Sequence, residues 1–316
     1  MLSRDVLPLI DEAAARVYSV VKETPLERLA ADSAGASGAV FAKLEQLQTT
    51  GSFKLRGATN KLMSLSATAA AAGVITSSTG NHGLGVATAA QLLGIDAEVF
   101  LSAQVTPAKR EKIRARGARI RIVGDDPLAA EVAARTVASE SGRTYISPYN
   151  DPYVVAGQGT IAVELMRQVP QIDAIFIATG GGGLMSGIGS YLRHAAPRAQ
   201  IIGCWPENSA VLYECIRAGR IYAAPESATL SESTAGGVEE NSITFDLCRE
   251  VMHHGVLVSE EEILQAMRWG HHQGWAMEGA SGVALAAYFK ESARYANQTV
   301  VVLICEIGRA SCRERV

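Results

Sequence analysis

Short apolar runs alternate with longer segments of helical periodicity along most of this chain. The short runs are typical of buried strands. We predict strands over residues 39–44, 74–77, 97–101, 119–123, 144–147, 174–178, 201–204 and 299–305. In the longer segments, apolar residues recur at the spacing of a helix face. We predict helices over residues 7–21, 58–65, 85–93, 107–116, 127–141, 159–169 and 184–194.

This alternation predicts the fold class. Strands that are separated by helices imply crossover connections, which build parallel sheets covered by helices on both faces. We therefore predict an α/β fold. A length of 316 residues suits two domains, or one large α/β unit with an ample core.

The composition argues against a nucleic-acid-binding or membrane-spanning protein. Hydrophobic residues make up 48% of the chain, charged residues 19%, and the formal net charge is −3. This balance, without a long basic run, leaves no electrostatic footprint for nucleic acid. The apolar runs are too short to cross a bilayer, and the charged N-terminus lacks the apolar core of a signal peptide.

The cysteines indicate a reducing setting. They are scattered, odd in number and without the paired spacing of a metal site. They are Cys204, Cys215, Cys248, Cys305 and Cys312. We expect a cytoplasmic protein, because disulfides are rare there.

One lysine, Lys54, lies at a turn between a predicted strand and a predicted helix. It belongs to the segment Thr-Gly-Ser-Phe-Lys-Leu-Arg-Gly-Ala at residues 50–58. A lysine held on backbone of defined geometry can form a Schiff base with an aldehyde cofactor. Taken alone the motif is weak, because an ordinary surface lysine satisfies it equally well.

Two downstream turns carry further candidate chemistry. Four glycines, 180–183, follow a predicted strand and open a predicted helix, where backbone N–H groups can converge on a phosphate monoester. A turn with only a packing role is the alternative. Residues 78–83, Ser-Thr-Gly-Asn-His-Gly, could hold a substrate carboxylate or simply cap a helix. A third turn, residues 156–160, is read either as a tightly packed helix start or as a ligand contact.

Together these motifs resemble the fold-type II pyridoxal-phosphate enzymes, and within them the threonine dehydratase and serine racemase family. The resemblance runs from Thr24 to Cys305 and includes the segment 155–164. It implies two lobes, each with a mostly parallel sheet flanked by helices. Residues 1–64 and 149–316 would form the large cofactor-binding lobe, and residues 65–148 a small mobile lobe. The cofactor would be pyridoxal 5'-phosphate.

The resemblance also implies roles for individual residues. Lys54 would hold the cofactor covalently and, once released, move the substrate α-proton. Cys305 would face the pyridine nitrogen, unless it is an ordinary buried small residue. The implied cofactor-binding residues are Phe53, Lys54, Asn81, Gly180, Gly181, Gly182, Gly183, Leu184 and Cys305. The implied substrate-binding residues are Ser78, Thr79, Asn81 and His82, and the implied catalytic residues are Lys54 and Thr79.

The chain departs from the family pattern at several positions. Where some members carry the Glu and Asp ligands of a divalent cation, this chain has Pro206 and Leu212, so we predict no metal site. The segment Thr-x-Ala-Asp-Gly of the family is Ser-Thr-Ala-Gly-Gly at residues 233–237, which leaves the substrate open. Thr79 stands where racemases carry a serine base and threonine dehydratases usually carry alanine, so its hydroxyl could serve a racemase or have a structural role.

The C-terminal tail does not continue the pattern. Residues 306–316, Glu-Ile-Gly-Arg-Ala-Ser-Cys-Arg-Glu-Arg-Val, resemble the translation of a sequencing-library adapter. In the family a glycine-rich turn and a closing helix follow this strand. We expect residues 306–316, including Cys312, to be non-native.

The resemblance implies a dehydratase, or ammonia-lyase, that acts on a small β-hydroxy amino acid such as threonine or serine. Residues 230–238 also resemble a branch associated with hydroxyectoine utilisation, for which a ring-opened derivative would be the substrate. Racemisation and hydroxyaspartate elimination remain open. Other classes are a non-catalytic binding module and, resting only on glycine-rich turns, a nicotinamide-dependent dehydrogenase. We expect a small-molecule partner, a homo-oligomer and no nucleic acid or membrane partner.

Overall fold

The computed structural model describes residues 1–29 and 38–307, and within these ranges ten strands form two sheets. The strands are β1 (Leu26–Arg28), β2 (Val40–Leu44), β3 (Val74–Ser77), β4 (Ala97–Leu101), β5 (Arg119–Ile122), β6 (Thr144–Tyr145), β7 (Ala174–Ala178), β8 (Gln200–Pro206), β9 (His254–Val258) and β10 (Val300–Ile304). The larger sheet has the order β1-β2-β10-β7-β8-β9, and the smaller sheet has the order β5-β4-β3-β6.

Nearly every strand pairing in the two sheets is parallel. In the larger sheet Val300 to Ile304 run beside Val40 to Leu44 in the same direction, and β1 alone pairs antiparallel, at the edge. All three pairings of the smaller sheet are parallel. The predicted α/β fold with parallel sheets is therefore confirmed.

Twelve α-helices flank the sheets in the described part of the chain. They are α1 (Ser3–Arg16), α2 (Lys54–Met63), α3 (Ala67–Ala72), α4 (Asn81–Leu93), α5 (Pro107–Arg114), α6 (Pro127–Ser141), α7 (Pro152–Gln168), α8 (Gly183–Ala195), α9 (Val211–Ala218), α10 (Ile243–Val251), α11 (Glu260–His272) and α12 (Gly279–Glu291). Among the described residues, no helix has the length and apolar character that crossing a bilayer requires.

Four predicted helix starts were wrong, each placed too far along the chain. The helices predicted from residues 7, 58, 85 and 159 begin at Ser3, Lys54, Asn81 and Pro152. Glycine is unfavourable inside helices, so the pattern assigned the glycine-containing starts of α2, α4 and α7 to loops. The turn predicted at residues 156–160 therefore lies inside α7, where it is buried.

Close helix packing explains the glycines of α7 and α8. A Cβ atom on Gly157 would lie 2.6 Å from the carbonyl oxygen of Arg56, in α2. A Cβ on Gly187 would lie 2.3 Å from the carbonyl oxygen of Val155. Only glycine permits such approach of one backbone to another. These contacts fix α2, α7 and α8 as one packed unit.

A buried network of four charged side chains joins this unit to the larger sheet. Arg56 donates to Glu45 at 2.8 Å and to Glu164 at 2.6 Å, and Lys43 donates to Glu164 at 2.6 Å. All four side chains are fully buried, and their charges balance. Burial alone would raise the pKa of Glu164, but Arg56 and then Lys43 hold that pKa below its ordinary value.

We predict that Glu164→Ala destabilises the fold strongly. The substitution leaves Arg56 and Lys43 buried without one carboxylate, which typically costs about 3–5 kcal/mol. The free energy of unfolding in urea measures this loss. Arg167→Ala is the matched control on the same helix, because Arg167 pairs with Glu23 in solvent and such pairs contribute about 0–1 kcal/mol.

The difference in unfolding free energy between wild type and Glu164→Ala should depend on pH. Because the pKa of Glu164 is lowered in the folded state, its stabilisation is present above the unfolded carboxylate pKa, about 4.3, and is lost as the pH falls below it. The stability gap between wild type and Glu164→Ala should shrink on acidification. A gap that stays constant or widens toward low pH would contradict this account.

Candidate active site

A cavity of about 170 Å³ lies at the carboxyl ends of β7 and β10. Such edges are where parallel α/β sheets bind ligands. The lining residues come from distant parts of the chain: Phe53, Lys54, Pro148, Tyr149, Ala178, Thr179, Gly180, Gly181, Gly182, Gly183, Leu184, Met185, Ser233, Thr234, Ala235, Gly236, Gly237, Ala280, Cys305 and Glu306. The structure thus gathers Phe53, Lys54, the four glycines, Leu184 and Cys305 from the predicted set.

Lys54 is the first residue of α2 and points its amine into the cavity. The Ser52 hydroxyl accepts the backbone N–H of Lys54 at 3.1 Å, and the Lys54 Nζ donates to the carbonyl oxygen of Pro148 at 3.1 Å. The amine lies 5.1 Å from the centroid of the Phe53 ring. Burial lowers the pKa of Lys54, with Glu306 opposing the shift. A lowered pKa increases the fraction of neutral, nucleophilic amine.

The glycine loop, residues 180–183, connects β7 to α8, of which Gly183 is the first residue. Gly182 has a φ of +86°, in the region that side chains avoid. A Cβ on Gly181 would lie 2.5 Å from the ring of Tyr149, and one on Gly180 would lie 2.9 Å from the Cα of Thr234. The N-terminus of α8 opens onto the loop, so unpaired N–H groups and the helix dipole favour an anion there.

The predicted substrate turn lies in the smaller sheet, outside the cavity lining. Ser78 and Thr79 are half-buried between β3 and α4, and the Ser78 hydroxyl accepts the N–H of Gly80 at 3.2 Å. Asn81 reaches the cavity wall through a hydrogen bond that its amide donates to the carboxylate of Glu306. The structure therefore brings Asn81 to the edge of the cavity and leaves Ser78 and Thr79 beyond it.

His82 is buried and points toward the backbone of its own sheet. Its Nε2 atom lies 3.0 Å from the carbonyl oxygen of Ile146, which can only accept, so Nε2 carries a proton. Burial, and then the charge of Lys54, lower the pKa of His82 to about 3. The imidazole is therefore neutral at physiological pH.

Cys305 directly follows β10, the strand that pairs with β7, and lines the cavity. Its sulfur is 3.6 Å from the hydroxyl of Ser281. Burial, with the neighbouring Glu306 carboxylate, raises the pKa of the Cys305 thiol well above its usual value. The cavity therefore contains a neutral thiol at this position.

Several lining residues carried no local sequence signal. Tyr149 packs its ring on Gly181 and its Cα and Cβ atoms on Gly183, and the hydroxyl of Ser233 donates to the buried carboxylate of Glu278. These contacts depend on tertiary packing between segments 32 and 45 residues apart in the chain, which periodicity does not encode. Residues 233–237 did stand out in the sequence and all line the cavity, but no role in the site was predicted for them.

No cluster of three or more metal-ligating side chains is present in residues 1–29 and 38–307. At the positions compared with a family cation site, Pro206 ends β8 and Leu212 is buried in α9. Residues 308–316, including Cys312, lie outside the described residues. Glu306 lies within them, and its backbone bridges Ser52.

A cavity that unites an amine of lowered pKa, a glycine anion cradle and a neutral thiol defines an enzyme site for a phosphorylated aldehyde cofactor. A sequence profile described as "Pyridoxal-phosphate dependent enzyme" matches residues 17–306. The chain belongs to this family, and its cofactor is pyridoxal 5'-phosphate. The residues present fit this group, because the glycine loop suits one phosphate monoester and Lys54 suits the aldehyde.

Two relatives with similar sequences are named for reactions of threonine. A putative threonine dehydratase of Sinorhizobium fredii is 36% identical over 288 residues, covering 90% of this chain and 87% of that protein. An L-threonine ammonia-lyase of Thermotoga maritima is 36% identical, covering 88% of this chain and 69% of that protein.

Solved structures of the same kind superpose on nearly the whole chain. The processed form of threonine deaminase isoform 2 from Solanum lycopersicum matches with a TM-score of 0.93 and 31% identity, covering 99% of this chain and 92% of that one. Maize serine racemase matches with a TM-score of 0.91 and 28% identity, covering 98% and 95%. The predicted family is therefore confirmed.

We predict that Lys54→Ala abolishes covalent retention of the cofactor, because the substitution removes the amine that faces the cavity. Borohydride reduction followed by peptide mass mapping should place the cofactor mass on the wild-type peptide containing Lys54. Lys61→Arg is the matched control, since Lys61 is on the same helix, pairs with Asp151 and lies outside the cavity lining. A label on any other lysine would show that the assignment is wrong.

We predict that Glu306→Gly tightens cofactor binding. Glu306 engages the amide of Asn81 and adds a carboxylate to the wall that also carries Cys305. Removing Glu306 leaves the amide of Asn81 free to donate a hydrogen bond to the cofactor. One such hydrogen bond changes the affinity by a factor of about ten. Equilibrium dialysis with pyridoxal phosphate measures the dissociation constant. Glu306→Gln, which removes only the charge, should give an intermediate dissociation constant. A larger dissociation constant for Glu306→Gly than for wild type would contradict the prediction.

Proposed function

We propose that this protein is a pyridoxal-phosphate-dependent dehydratase that converts a small β-hydroxy amino acid, such as threonine or serine, to a 2-keto acid and ammonia. The observation that carries the proposal is the juxtaposition of Lys54 and a neutral Cys305 in one cavity. The names of the relatives from Sinorhizobium fredii and Thermotoga maritima support the same substrate class.

When bound, the cofactor supplies an electron sink for the carbon that loses its proton. Lys54 is the proposed base, because its amine points into the cavity and burial favours its neutral form. The amine of Lys54 would take the α-proton at Nζ. The walls formed by Phe53 and Tyr149 would exclude water from that step.

Cys305 supports elimination rather than chemistry that needs a long-lived carbanion. A thiol with a raised pKa stays neutral and cannot hold the pyridine nitrogen protonated as a carboxylate would. The electron sink is then weaker. Rapid loss of the β-hydroxyl group as water is the outcome that suits a weaker sink, which favours a dehydratase.

We propose the lobe division given by the sequence, with residues 65–148 moving against residues 1–64 and 149–316. Support comes from the smaller sheet, whose strands all fall between Val74 and Tyr145. Movement of this lobe would bring Ser78, Thr79 and Asn81 toward the cavity to bind the substrate carboxylate. His82, being neutral and bonded to Ile146, would shape that turn rather than supply charge.

Racemisation is the second candidate. Thr79 occupies the place of the second base in racemases, and the fold is similar to maize serine racemase. The hydroxyectoine-related substrate and hydroxyaspartate elimination remain predictions of the sequence resemblance. So do the cytoplasmic setting, the homo-oligomeric state and the absence of a nucleic-acid partner.

We predict that the protein, loaded with pyridoxal phosphate, releases ammonia and 2-keto acid from threonine or serine. The panel should include hydroxyaspartate and ring-opened hydroxyectoine derivatives, with chiral chromatography to detect racemised substrate. α-Methylserine is the matched control substrate, because it has no α-proton for Lys54 to remove.

The outcomes separate the candidates. Keto acid from a β-hydroxy amino acid supports the dehydratase, whereas inverted substrate without keto acid supports a racemase. No change in any substrate, with the cofactor covalently in place, would make the protein a binding module and overturn the proposal.

A further inference from the structure

The glycine loop is anchored from behind by α10, at residues that do not line the cavity. The Thr244 hydroxyl donates to the carbonyl oxygen of Gly181 at 2.5 Å, and the Cys248 thiol donates to that of Gly182 at 3.4 Å. A Cβ on Gly182 would lie 2.7 Å from the Cys248 sulfur and 3.1 Å from the Thr244 Cβ. Helix α10 is therefore in direct contact with the loop.

The direction of these hydrogen bonds is fixed by chemistry. A carbonyl oxygen only accepts, so the single proton of the Thr244 hydroxyl goes to Gly181. Ser242, whose hydroxyl is 2.7 Å from that of Thr244, must then donate to Thr244. Thr244 is fully buried, and no solvent competes for its proton.

The thiol of Cys248 is likewise a donor. Burial raises its pKa to about 12, so it keeps its proton, and the carbonyl of Gly182 also accepts the backbone N–H of Ser186 at 2.9 Å. The Ser186 hydroxyl lies 3.3 Å from the Cys248 sulfur and completes the contact.

These anchors decide which way the loop's N–H groups point. In a planar trans peptide the C=O and the following N–H point in opposite directions. Because the carbonyls of Gly181 and Gly182 face α10, the N–H groups of Gly182 and Gly183 face away from it, toward the cavity. Glycine peptides rotate with little steric resistance, so the loop cannot hold this orientation through its own side chains.

We infer that Thr244 and Cys248 are positioning residues for the cofactor phosphate, which hold the N–H groups of the glycine loop toward the anion from the far side of the loop. This inference rests on the proposed cofactor site and adds residues that touch neither cofactor nor substrate. Thr244 is the principal anchor, since its hydrogen bond is short and a thiol is a weak donor.

The test compares two probes, pyridoxal phosphate and pyridoxal, which differ only in the phosphate. Thr244→Val should weaken pyridoxal phosphate binding to the full-length apoprotein about fivefold to tenfold, the scale of one hydrogen bond. Pyridoxal binding should stay within about twofold of wild type. Equilibrium dialysis gives both constants, and their ratio is the readout.

Three further variants complete the experiment. Thr244→Ser should restore the wild-type ratio, because it keeps the hydroxyl. Thr88→Val is the matched control, since Thr88 is a buried threonine in α4 whose hydroxyl has no hydrogen-bond partner among the described residues, and its ratio should not change. Cys248→Ala should shift the ratio in the same direction as Thr244→Val, by less, and provides the test if Thr244→Val does not fold.

Two results for Thr244→Val would overturn the inference. An equal loss of affinity for both probes would mean that Thr244 contributes only general packing, and no loss for either probe would mean that it does not affect the site. Failure of Thr244→Ser to restore the ratio would also overturn it. If the wild-type protein binds neither probe covalently, the proposed cofactor site itself fails, and this result is distinguishable from the others without any variant.

Discussion

The position of Lys54 depends on the buried charge network two residues further along the same helix. Arg56 is held by Glu45 and Glu164, and the carbonyl of Arg56 lies where a side chain on Gly157 would collide. The first turn of α2 therefore cannot shift along its axis without separating buried charges or opening a gap against α7. The flexible side chain of Lys54 therefore extends from a helical turn whose backbone is held in place. A covalent link to a cofactor requires such a fixed attachment point.

The sequence predicted much of the fold and the centre of the site, for a physical reason. Strands and helices have their own periodicities, so local pattern located the turn that carries Lys54 and the glycines after β7, while their roles came from the resemblance. The same reasoning placed the start of α7 too late, because it took the glycines of this helix for a turn. These glycines instead allow α7 to pack closely on α2 and α8. Likewise β9 and α9 to α12, in a stretch without a simple alternation, were not predicted.

Residues that act through tertiary contacts were beyond sequence reasoning. Tyr149 meets the glycine loop because the chain returns from the smaller sheet at that point, and Thr244 meets it because α10 packs on α8. Neither residue has a neighbour in sequence that marks it. The resemblance implied that the glycine loop binds the phosphate, but it gave no sign of Thr244, which holds a carbonyl of that loop from some sixty positions away.

Under the proposed function, the residues that recognise the cofactor and those that recognise the substrate would lie on different sheets. The amine, the glycine loop and the thiol lie at the ends of strands in the larger sheet, whose core is continuous with the buried charge network. The turn that includes Thr79 and Asn81 lies at the end of β3 in the smaller sheet, with a neutral His82 behind it. Under the proposed function, the cofactor would stay on the larger sheet through many turnovers, and the substrate contacts would come from the turn before α4. Helix α4 also meets the lysine that would hold the cofactor, because Gly85 packs against the backbone of Lys54.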